Sequence, residues 1–231
     1  MKNSHGILIE FRTAVDYCLP FQPNHEITNH IVDYCYEYGI QLDMTIPCWR
    51  DLCDSITNAL NFFLYLRDRA TETLRELPPS EALDLYIEST LNHSNLNSQD
   101  DLSLNAQSLP DLNELRDAVR NIGIRRFRAY IDSQMQGCSM AQNMLDLRIN
   151  RRFERGGSDP YLFNASIIGT ISKEKDRELL LNAYDWGTGE NRYLITRKDS
   201  ELYSKKDTIY QYMQNKKFDI ICPEDVDRQI S

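Results

Sequence analysis

The sequence predicts a mainly α-helical chain with a small C-terminal α/β or α+β part: a helical bundle followed by a short mixed sheet with two helices. Three observations predict it. Apolar residues recur at helical spacing through roughly the first two-thirds of the chain. After residue 160, short β-branched and aromatic runs alternate with helical ones. The composition, 41% hydrophobic and 26% charged over 231 residues, is that of a chain able to bury a core.

Residues 24–38 are predicted as a helix, opened by Asn24 and closed by Gly39, with Ile27, Ile31, Tyr34, Cys35 and Tyr38 at helical spacing. Thr45 caps a second, longer helix that runs through Pro47 to about Glu76. Its stripe is Trp49, Leu52, Cys53, Ile56, Leu60, Phe63 and Leu64. Pro78-Pro79 stops it, and Ser80 opens a third helix with Leu83, Ile87 and Leu91 on one face. Residues 92–109 are rich in Asn, Ser, Gln and Asp without apolar period and read as a flexible connection.

Ser108-Leu-Pro-Asp111 resembles a capping arrangement opening a helix that carries Leu112, Leu115, Val119, Ile122, Tyr130 and Ile131 and that Gly137 is expected to close. A further helix, Ser139 to about Glu154, is expected to turn Met140, Met144, Leu147 and Phe153 inward. Tyr161–Ile171 then reads as a strand, Ser172–Asp185 as a helix, Arg192–Thr196 as a strand, Lys206–Asn215 as a helix and Phe218–Cys222 as a strand. The expected organisation is therefore an acidic helical region at 1–91, a polar linker at 92–109, an Arg-rich helical pair at 110–157 and a small α/β region at 158–231. The stretch Arg155-Gly-Gly-Ser-Asp-Pro160 marks the last junction.

The net charge of −9 is unevenly spread. Residues 1–110 hold 6 basic and 16 acidic side chains, whereas residues 111–160 hold 9 basic, all arginine, and 7 acidic. An acidic chain repels a phosphate backbone, so nucleic acid is not the expected partner. The arginines Arg116, Arg120, Arg125, Arg126, Arg128, Arg148, Arg151, Arg152 and Arg155 form planar, bidentate pairs with carboxylates as readily as with phosphates. The first-choice reading sets them against carboxylates of the first region or of a partner.

The longest apolar run, Leu60–Leu66, is broken by Asn61 and too short for a membrane span. The amino terminus lacks the apolar core of a signal peptide. Six cysteines diluted over the chain read as free thiols, which together place the protein in the cytoplasm. Trp186-Gly-Thr-Gly-Glu190 precedes a strand and lacks the third glycine and the Gly-Lys-Ser/Thr of phosphate loops, so it reads as a helix stop and tight turn. His25, His30 and Cys35 are five residues apart and point to different sides of a helix, so neither metal nor cofactor is expected. A thiol nucleophile could be built only from Cys48 or Cys53 with His25 or His30.

These observations predict a non-catalytic protein-binding adaptor or accessory subunit of a larger assembly. The acidic, Asn-rich, helical composition is similar to that of bacterial secretion-system accessory proteins, which implies a chaperone-like role. Tyr36 and Trp49 are the expected aromatic anchors, and Arg125, Arg128, Arg151 and Arg152 the expected carboxylate-binding forks. Two alternatives stand beside this: an effector enzyme using a Cys/His or carboxylate site, and a nucleic-acid-binding regulator using the Arg-rich helices.

Overall fold

The computed structural model describes residues 5–91, 109–154, 161–187, 191–213 and 217–230. Most of the expected connection at 92–109, the whole 155–160 junction and the end of the Trp186–Glu190 turn lie outside the described residues. The chain is mainly α-helical with a small parallel sheet. Its elements divide between two compact units, one made of residues 1–17, 23–52 and 144–231, the other of residues 18–22 and 53–143.

The first unit holds all five strands: β1 (Gly6–Ile9), β2 (Gln41–Thr45), β3 (Arg151–Phe153), β4 (Arg192–Ile195) and β5 (Asp219–Ile221). Every pairing is parallel, and the order is β3-β2-β1-β4-β5. The sheet is thus not confined to the C-terminal part. Its centre is the four-residue run Gly-Ile-Leu-Ile, apolar throughout because a parallel strand is covered on both faces. From β1 the chain moves outward through β2 to β3, then crosses to the other side of β1 for β4 and β5, a doubly wound arrangement. Between these strands run α1 (Phe11–Cys18), α2 (His25–Tyr38), α7 (Tyr161–Ile168), α8 (Glu174–Trp186), α9 (Glu201–Ser204) and α10 (Lys206–Tyr212), and α11 (Val226–Ile230) follows β5.

Several local expectations hold. Helix α2 ends at Gly39 in the left-handed conformation, φ 64°, with its N–H directed to the Cys35 and Tyr36 carbonyls. The Thr45 hydroxyl accepts the Cys48 N–H at 3.3 Å and so caps α3 (Ile46–Glu76). The Tyr161–Ile168 segment, expected as a strand, is helix α7. Its buried residues Phe163 and Ile167 are four positions apart, a period its aromatic and β-branched composition disguised.

The second unit packs the later part of α3 with α4 (Pro79–Thr90), α5 (Leu112–Ile122) and the earlier part of α6 (Ile124–Arg148). Asp111 caps α5 by accepting the Asn113 N–H at 2.7 Å. Phe62, Phe63, Leu66, Tyr86, Val119, Phe127 and Ile131 are buried, and the Tyr86 ring meets Phe127 edge-on. The Tyr86 hydroxyl donates to the Leu66 carbonyl at 3.0 Å, which satisfies its polar tip inside the core. Gly137 does not end a helix: α6 continues through it to Arg148, and the break falls at Gly123, where φ is 77° and ψ 153°. That region is open essentially to glycine alone. Met140, Met144 and Leu147, expected inward, are exposed, and Tyr38 is exposed as well.

Candidate functional site

In doubly wound sheets, ligands bind beyond the carboxyl ends of the strands, where the strand order reverses. Here that point lies between β1 and β4. Registered residues of parallel strands share a face, and Leu8 is level with both Asp43 and Leu194. Two residues on, Thr45, Glu10 and Thr196 therefore form one row along the carboxyl edge. The Glu10 N–H donates to the Ile195 carbonyl at 3.2 Å, which fixes the residue against β4.

Glu10 is only 4% exposed. Its carboxylate accepts a hydrogen bond from the Thr196 hydroxyl, which lies 2.7 Å from the hydroxyl of Ser200. Ser200 in turn accepts the Tyr203 N–H and caps α9, so the hydroxyl pair is held between the Glu10 carboxylate and the first turn of α9. Burial pushes the Glu10 carboxyl up to about 7; the Thr196 bond and the charges of Arg12 and Arg197 oppose the shift, and that of Asp176 adds to it. A carboxyl balanced between its two forms near neutral pH can both give and take a proton.

Other charged groups surround this row. Asp16 is fully buried on α1, accepts the Asn24 amide at 3.2 Å and lies 3.8 Å from the Arg197 guanidinium. Burial raises its pKa; the Asn24 hydrogen bond, then Arg197, oppose the rise. Arg197 also pairs with Asp199 at 3.2 Å. Asp176, at the start of α8, is raised chiefly by burial and lowered by Lys173 and Arg12. The charge of Arg12 acts on both carboxyls, Glu10 and Asp176. A cleft of about 210 Å³ is lined by Pro23, Asn24, Arg197, Lys198, Asp199, Pro223 and Glu224; Arg197 links it to Asp16, whereas Glu10 and Thr196 do not line it. One row deeper, buried Asp43 accepts from the Trp186 indole at 2.7 Å and the Gln41 amide at 2.6 Å.

The thiols behave differently. Cys18, Cys35, Cys48, Cys138 and Cys222 are buried, and all six cysteines are free. Burial pushes Cys48 up to about 11 and Cys35 up to about 12, which disfavours the reactive thiolate. Both ring nitrogens of His25 are engaged, Nδ1 with the Asp16 carbonyl at 3.0 Å and Nε2 with the Asn29 amide at 2.8 Å. Among the described residues, no three His, Cys, Asp or Glu side chains are placed to share a metal ion.

The expected partner-binding residues are divided. In the first unit, the Arg152 guanidinium lies over the Trp49 ring, 4.0 Å from its centroid, and pairs with Asp146. Tyr36, 71% exposed, is covered on one side by Arg148 at 5.2 Å, which pairs with Asp33. Arg151 is exposed and lies over Phe153 at 5.0 Å. Beside this cluster in sequence, Leu147 is 81% exposed. Arg125 and Arg128 belong to the second unit, exposed on the first turns of α6.

Sequence reasoning did not single out Glu10, Asp16, Thr196 or Ser200. The available signal was an apolar run ending in an acid, Gly-Ile-Leu-Ile-Glu10, followed by a helix; it is the form of a buried strand delivering a side chain to a sheet edge. Comparison with known protein families, curated proteins and solved structures found no match to this chain.

Proposed function

We propose that the chain is an enzyme of acid–base class working at the carboxyl edge of its sheet, with Glu10 as the group that moves the proton. The observation that carries this reading is a single one: a glutamate buried at the strand-order reversal and hydrogen-bonded to Thr196. Ionised Glu10 takes a proton from water or a ligand hydroxyl; protonated Glu10 returns it to a leaving group. The Thr196–Ser200 pair orients the carboxyl, and Arg12 supplies the charge that recognises an anionic ester. Six unpaired thiols support a reducing compartment such as the cytoplasm.

The test is hydrolysis of chromogenic carboxylic, phosphomonoester and phosphodiester substrates, with magnesium or manganese present or withheld. Turnover of one class, reduced about 100-fold or more in Glu10→Gln, is the expected result. Absence of turnover across the set, or equal rates in the variant, overturns the reading.

A second reading is favoured by one further observation. Two arginine–aromatic pairs, Arg148 over Tyr36 and Arg152 over Trp49, and the exposed Leu147 belong to the first unit; such residues are those of protein-binding surfaces in adaptors and accessory subunits. Affinity isolation of the chain from its native cells, comparing wild type with Leu147→Ser and Arg152→Ala, tests it. Loss of one stoichiometric partner in the variants supports the adaptor role; unchanged capture rejects this surface.

A further inference from the structure

The first two turns of α6 carry Arg125, Arg126 and Arg128, all exposed. Among the described residues none of the three makes a hydrogen bond or ion pair, whereas Arg67, Arg69 and Arg120 of the same unit each pair with a carboxylate. No acidic side chain stands in that first turn. The helix begins with its backbone dipole directed positive-end first, so three added guanidinium groups raise the same potential instead of offsetting it. Arg125 and Arg128 lie one turn apart on one face, and Arg126 is about 100° round from Arg125. The rest of the unit has the opposite sign: residues 53–91 hold 3 basic and 7 acidic side chains.

We infer that this arginine turn docks an acidic segment of a protein partner. It goes beyond both proposed readings, because the arginine turn belongs to the second unit and depends neither on the Glu10 site nor on the first unit's aromatic surface. Size and setting select a carboxylate segment over nucleic acid. The patch spans little more than one helical turn, enough for two or three carboxylates. A nucleic-acid strand is charged along its whole length and would run on over the acidic surface, where it is repelled. A short acidic segment needs only the patch. Guanidinium forks without lysines suit planar carboxylates bound two-point.

The experiment is fluorescence anisotropy of the whole chain with a labelled oligoglutamate peptide and, separately, a labelled single-stranded oligonucleotide. Wild type is expected to bind the peptide with an affinity that falls as salt rises. Arg125→Ala, Arg126→Ala and Arg128→Ala together are expected to weaken it about tenfold. The Lys triple variant keeps charge and fold while losing the forks, and is expected to fall between the two. Failure of wild type to bind the peptide, or equal binding by the Ala variant, overturns the inference. So does tighter binding of the oligonucleotide that depends on the same three arginines.

Discussion

Replacing Glu10 by Gln removes one titrating group and leaves an amide oxygen that still accepts from Thr196. The wild-type carboxyl is raised from 4.5 to about 7 by burial. In the unfolded chain it ionises near its ordinary value, whereas in the folded chain it holds its proton to higher pH. The sign follows: the stability the neutral carboxyl contributes is full below about pH 4.5 and is lost as pH rises through about 7. Each factor of ten between the folded and unfolded acid constants is worth roughly 1.4 kcal/mol, so that loss is about 3 kcal/mol. The difference in unfolding free energy between Glu10→Gln and wild type should therefore move by about 3 kcal/mol in the variant's favour between acid and mildly alkaline buffer. Urea unfolding followed by tryptophan fluorescence at a series of pH values measures it. Subtracting the two proteins cancels the titrating groups that do not interact with Glu10. A difference that stays flat across the series would refute the reasoning, because Glu10 would then ionise alike in both states.

Gly123→Ala should cost about 1–3 kcal/mol, since alanine does not adopt φ 77° with ψ 153° without strain. Gly137→Ala should instead stabilise by up to about 1 kcal/mol. Position 137 is mid-helix, and its added methyl would meet only the Pro20 ring at 3.4 Å. Urea midpoints of the two variants give opposite signs if α6 is continuous, and a destabilised Gly137→Ala contradicts that continuity. Trp186→Phe deprives buried Asp43 of its indole donor and should cost about 2 kcal/mol at neutral pH, the loss shrinking in acid as Asp43 takes up a proton. A pH-independent loss would mean that only ring packing was removed. Leu147→Ser should change the stability measured by urea unfolding by less than about 0.5 kcal/mol, because the side chain is exposed and packs little in the chain; a larger loss would place it in a core.

Much of the helical content was legible because long amphipathic helices announce themselves through period and caps. Gly39 after α2 and Thr45 before α3 are signals written within a few residues of the helix ends they mark, whereas the Asn24 side chain makes no cap and donates to Asp16 instead. The sheet was less legible for the same reason. Gly6–Ile9 and Gln41–Thr45 are four- and five-residue strands whose partners lie far along the chain, and short apolar runs look alike whether helical or extended. Gln-Leu-Asp-Met-Thr hides its strand because Asp43 sits at a fully buried position, where Trp186 and Gln41 donate to it and the charges of Arg151 and Arg192 support it.

The site itself was not legible, since Glu10 and Thr196 stand 186 residues apart and meet only when β1 and β4 pair. The charge clustering in the middle of the chain was legible, and two arginine–aromatic contacts on the first unit came from residues the sequence had marked, Tyr36 and Trp49. The partner of Tyr36 was Arg148, not one of the four arginines expected to serve as forks.

The most direct test of a proton-moving carboxyl at the sheet edge is carbon-13 NMR titration of glutamate side-chain carboxyls, with Glu10 assigned by its absence from Glu10→Gln. Its midpoint is expected near 7, well apart from that of Glu201, which the Lys205 hydrogen bond holds down at about 2. A Glu10 midpoint at the ordinary glutamate value would contradict the proposed role.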